Sequence, residues 1–67
     1  MMYRDKIGRV AGQIWHYLHA HGVTTVAKLK QEMDAGDALV LQALGWLAKE
    51  DKIEFVEKPR SIAVTLR

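Results

Sequence analysis

The hexapeptide HYLHAH places three histidines close together, at His16, His19 and His21. Imidazole can bind a metal or carry a proton near neutral pH. His16 and His19 are three residues apart on the outward side of a helix, where they could share an ion. His21 points elsewhere on that helix, and the chain has no cysteine to complete a site. Structural zinc usually takes four ligands, often thiolates, so these read as surface histidines and no metal is expected. Ser61 is the sole serine, in a hairpin turn without a neighbouring histidine. There is no cysteine nucleophile and no GxxxxGK[ST] phosphate loop. Asp34 and Asp37, in DAGD, suit a turn and a helix cap. A chain of 67 residues also has little room for a deep pocket. The expectation is a protein that is not an enzyme, with no cofactor and no small-molecule substrate.

A second chemistry open to these residues is contact with nucleic acid. Lys28, Lys30, Lys49, Lys58 and Arg60 are cations that could neutralise phosphates, and Gln42 has an amide of the type that reads base edges. The overall charge gives this limited support. Ten basic residues face eight acidic ones, a net +2, and Asp37, Glu54 and Glu57 lie among the candidate cations. No strong nucleic-acid footprint follows from composition.

The elements that must position these residues are legible from periodicity. Over about residues 4–21, Ile7, Ala11, Ile14 and Leu18 mark a helix with one buried stripe, flanked by Val10 and Tyr17 on one side and Trp15 on the other. Gly22 follows as a stop, because glycine readily takes the left-handed conformation. Val23 and Thr24 predict a strand of one or two residues. Thr25 suits the N-cap of a second helix over 26–33, with Val26, Leu29 and Met33 on one face. Asp37 suits the cap of a third helix over 38–50, with Val40, Leu44, Leu47 and Ala48 as its core stripe. Past KEDK the pattern changes to short runs of branched residues over 53–56 and 62–66, separated by EKPRS. Pro59 suits the turn, and Ile62, Val64 and Leu66 alternate with Ser61, Ala63 and Thr65 as a strand with one buried face. The fold class is α+β, mainly α: three helices, a short strand after the first, and a C-terminal β-hairpin.

That order is the layout of a winged helix–turn–helix domain. VTTVAKL (23–29) looks like the strand and second-helix entry of such domains, and Val40, Leu44, Leu47 and Ile53 are spaced like their third helix running into the first wing strand. The phrases GQIWHYL and ALGWLAKEDKI resemble a group of small, stand-alone bacterial and archaeal winged helix–turn–helix proteins of unknown function. The resemblance covers nearly the whole chain. It implies either duplex DNA as partner, held mainly by phosphate contacts in the manner of a transcription regulator, or a protein-interaction or homodimerisation module on the same scaffold.

The second alternative has its own residues. Gly8 and Gly12 lie on one side of the first helix beside Trp15, and Gly45 precedes Trp46 in the third. A helix-interior glycine costs about 1 kcal/mol relative to alanine, so these positions point to close approach, either within the chain or by a partner. Leu39 and Trp46 share one shoulder of the third helix and Leu41 takes the other, more apolar surface than a thin core can absorb. One domain spanning 1–67 is expected. Charges and glycines interrupt the first fifteen residues where a signal peptide would need an apolar run, and no segment nears the roughly 20 residues of a membrane span. Without cysteine the chain fits a reducing cytoplasm.

Overall fold

The computed structural model describes residues 2–67. Helix α1 (Tyr3–His21) buries Val10, Ala11, Ile14 and Leu18. This is the expected stripe moved slightly: Val10 is within it, and Ile7, at its start, is only half-buried. Gly22 ends α1 with φ 79° and ψ −154°, and its N–H donates to the Leu18 carbonyl at 2.7 Å. That conformation is open essentially to glycine alone. Val23 then stays exposed, and strand β1 is Thr24–Thr25.

Helix α2 (Val26–Glu32) starts as expected, with the Thr25 hydroxyl accepting from the Lys28 N–H at 3.1 Å. Helix α3 (Asp37–Lys49) starts differently. Gly36 occupies its N-cap, and no side chain caps it. Asp37 is instead the first helical residue, where its carboxylate faces the positive end of the helix dipole. The buried stripe of α3 is Val40, Ala43, Leu44 and Leu47, with Ala48 half-buried at its edge. The end of α3 has no glycine, yet it closes as one would. Asp51 takes a left-handed φ of 58°, its N–H donates to the Ala48 carbonyl at 3.1 Å, and the Lys52 N–H donates to the Leu47 carbonyl at 3.0 Å. This is a Schellman closure with aspartate in the glycine position.

Strands β2 (Ile53–Lys58) and β3 (Ser61–Leu66) pair antiparallel from Ile53 opposite Leu66 to Lys58 opposite Ser61. They extend further than the branched runs suggested and leave only Pro59 and Arg60 in the turn. β1 adds to the far side of β3, giving a three-stranded sheet in the order β1-β3-β2. The expected alternation in β3 fails at two positions. Ile62 is exposed, since it lies near the hairpin tip beyond the cover of the helices, and Ala63 is buried between its cross-strand neighbours Thr25 and Val56. The core joins the three helices to the hairpin: Ile14, Leu18, Leu29, Val40 and Val64 are fully buried at its centre, with Ile53 closing it at the hairpin root. No helix among the described residues is long and apolar enough to cross a membrane.

Candidate functional site

Two grooves flank α3. On one side Leu41, Leu44 and Gly45 face Phe55, Glu57 and Ile62 of the hairpin, with Val26 at the end, across a cleft of about 440 Å³. On the other side Trp46 and Leu47 face Gly8, Ala11, Gly12 and Trp15 of α1 across a groove of about 330 Å³.

Hairpin register explains the first cleft. Ile53, Phe55 and Glu57 lie opposite Leu66, Val64 and Ile62, so these six side chains share one face. Near the root that face is core, with Ile53 and Val64 buried; toward the tip the helices no longer cover it. Phe55, on the edge strand beside buried Val64, is 46% exposed, Ile62 at the tip is 45% exposed, and Leu41 across the cleft is 49% exposed. Neither Phe55 nor Ile62 stood out in the sequence. Alternation assigned Ile62 to the core, and only the pairing that sets it opposite Glu57 shows how far it lies from helical cover.

The second groove brings together Gly8, Gly12, Trp15 and Trp46, and Leu39 is not part of it. Leu39 lies about two turns before Trp46 on α3 and packs, half-buried, against the core near Val10, Gln13 and Ala35. Trp15 is half-buried and stacks on His19 with ring centroids 5.2 Å apart, while Trp46 is 43% exposed. A Cβ built on Gly8, Gly12 or Gly45 would meet nothing within 4 Å. Close approach inside the chain therefore does not explain these glycines.

The candidate DNA contacts lie on α2, α3 and the hairpin. Gln42 accepts a hydrogen bond from the Tyr3 hydroxyl, which ties the one base-reading candidate in the first half of α3 to α1. The Lys30 ammonium lies 3.8 Å from the Asp37 carboxylate. Lys28 on α2, Lys49 at the end of α3, and Lys58 and Arg60 at the hairpin tip are exposed and form no ion pair among the described residues. Among those residues no three His, Asp or Glu side chains are grouped to hold a metal ion.

Three helices, a short strand feeding the second, and a hairpin laid beside the third define a winged helix–turn–helix protein. The chain belongs to the family described as Winged helix-turn-helix domain (DUF2582), whose model matches residues 2–66. It is 31% identical over 64 residues to an uncharacterised protein of Methanocaldococcus jannaschii, across 92% of this chain and 91% of that one. The solution NMR structure of protein BT2368 from Bacteroides thetaiotaomicron is similar in fold, with a TM-score of 0.84 and 26% identity, covering 97% of this chain and 79% of that one.

Proposed function

We propose that this winged helix works by binding protein through the cleft between α3 and the hairpin, and not by reading bases. One observation carries the reading: Leu41, Phe55 and Ile62 each stand nearly half exposed around a single cleft. A base reader presents polar side chains of α3 to the duplex, whereas the cleft side of this α3 offers Leu41 and Gly45. Contiguous exposed apolar surface marks interaction sites. Covering the exposed half of three such side chains is worth about 3 kcal/mol in total. In this reading the chain is a non-enzymatic, single-domain module of the cytoplasm.

The test is amide chemical-shift mapping with two kinds of ligand. Peptides selected by display against the immobilised protein should shift Leu41, Gly45, Phe55 and Ile62 and leave the α1 face unmoved. Duplexes of differing sequence should not shift the first half of α3 differently. Saturable, sequence-dependent shifts at Ala38, Leu41 and Gln42 would overturn the reading.

The free cations favour a second, compatible reading, in which the same protein touches DNA without sequence preference. Lys58 and Arg60 flank Pro59 at the tip of the wing, and Lys28 and Lys49 lie on the two helices of the helix–turn–helix. Each phosphate neutralised adds about 0.9 to the magnitude of the salt slope of binding. Duplex affinity measured against salt should therefore show a slope of about −2 to −4. A Lys58→Ala and Arg60→Ala double variant should bring the slope nearer to zero by about 2. No binding even at low salt would remove this second reading.

A further inference from the structure

Strand β2 lies at the edge of the sheet, with its outer side unpaired over six residues. Sheet edges in soluble proteins are commonly short, bulged or covered. This one is as long as β3, is exposed at every residue but Ile53, and carries Phe55 and Val56 at its middle. Phe55 also lines the apolar cleft, so the open edge and the cleft form one continuous surface.

We propose that this surface is occupied by a second copy of the chain, joined β2 to β2 antiparallel about a two-fold axis at Val56. The proposal rests on the protein-binding reading above and names the partner. Symmetry and charge select the register. A two-fold axis normal to the sheet pairs each residue with one on the same face, so the axis passes through a residue and not between two. An axis at Glu54, Glu57 or Lys58 sets a charge against itself, which is destabilising. An axis at Phe55 sets buried Ile53 against Glu57 and Lys52 against Lys58. At Val56, valine meets valine, Phe55 meets Glu57, and Glu54 meets Lys58 at both ends of the pairing.

Arg67 already reaches Glu54 at 3.3 Å, but it comes from the β3 side and leaves the edge to the other copy. The same register sets the two Phe55 side chains diagonally on the helix-bearing face, at about 7–8 Å, within reach of aromatic rings. The two clefts then meet at the axis, and their exposed apolar walls cover one another in one six-stranded sheet.

Sedimentation velocity over a concentration series tests this with four variants. The unaltered chain should dimerise reversibly. Glu54→Lys and Lys58→Glu each place like charges across both pairs and should weaken the dimer about tenfold. The double variant E54K/K58E should recover affinity to within about threefold of the unaltered chain, since it restores both pairs in reverse. Val56→Lys, at the axis, should abolish the dimer. Circular dichroism melts check that each variant folds, and slower amide exchange in β2 at high concentration of the unaltered chain gives a readout that needs no variant. A monomer at every concentration overturns the proposal, as does a dimer indifferent to these changes. If the protein is monomeric while selected peptides still shift Leu41 and Gly45, the partner is wrong and protein binding stands; if both fail, both readings fall.

Discussion

A few backbone positions hold energy that the fold does not recover. Gly12 lies inside α1 with nothing within 4 Å of a Cβ. Gly12→Ala should therefore stabilise the protein by about 0.5–1 kcal/mol, seen as a higher midpoint in urea. A loss of stability there would mean that α1 has a close neighbour. Asp51 poses the converse case, a side chain where the left-handed backbone favours none. Asp51→Gly should stabilise by about 1 kcal/mol, even though it removes the exposed ion pair with Arg67 at 3.2 Å. Thr25 is the counterweight, because its hydroxyl caps α2. Thr25→Ala should cost about 1 kcal/mol, and an unchanged midpoint would show that tertiary packing alone fixes the start of α2.

At the level of elements, the hairpin turn is the part least suited to its strands. Two-residue hairpin loops favour turns with positive φ at the first central residue, which match strand twist. Pro59 holds φ near −65° and excludes them. Replacing Pro59-Arg60 by Asn-Gly should raise the melting temperature by several degrees, measured by circular dichroism; a fall would show that the present turn suits the wing. The elements themselves were legible in the sequence because their signals are local: the Ile14 and Leu18 stripe, the Thr25 cap, the change of period at Ile53. The cleft was not, because it depends on register. Leu41 stood out as surplus apolar surface, but Phe55 and Ile62 become its neighbours only once pairing sets them on one face, at the edge and the tip of the sheet. Asp37 misled for a related reason, since aspartate suits both a cap and a first turn, and Gly36 took the cap.

Across the whole molecule, stability rests on a few aliphatic side chains that join the three helices to the hairpin. Ile14 and Val64 are completely buried in a chain without cysteine. A core this size supports about 3–5 kcal/mol in all, and truncating a buried isoleucine costs about 2–5 kcal/mol. Ile14→Ala should leave much of the protein unfolded at room temperature, visible as lost amide dispersion in its NMR spectrum; a well-dispersed spectrum would point to stabilisation from beyond this core. The root of the wing is fastened more than once. The Arg67 N–H donates to the Lys52 carbonyl at 3.0 Å, Lys52 is itself tied back to Leu47, and Ile53 is sealed in the core. Among the described residues, no such backbone bond or buried side chain holds Pro59 and Arg60 at the tip. The hairpin is therefore a cantilever, anchored at one end, so a deflection of its outer third would open or narrow the gap toward Leu41 while the anchored end stays still.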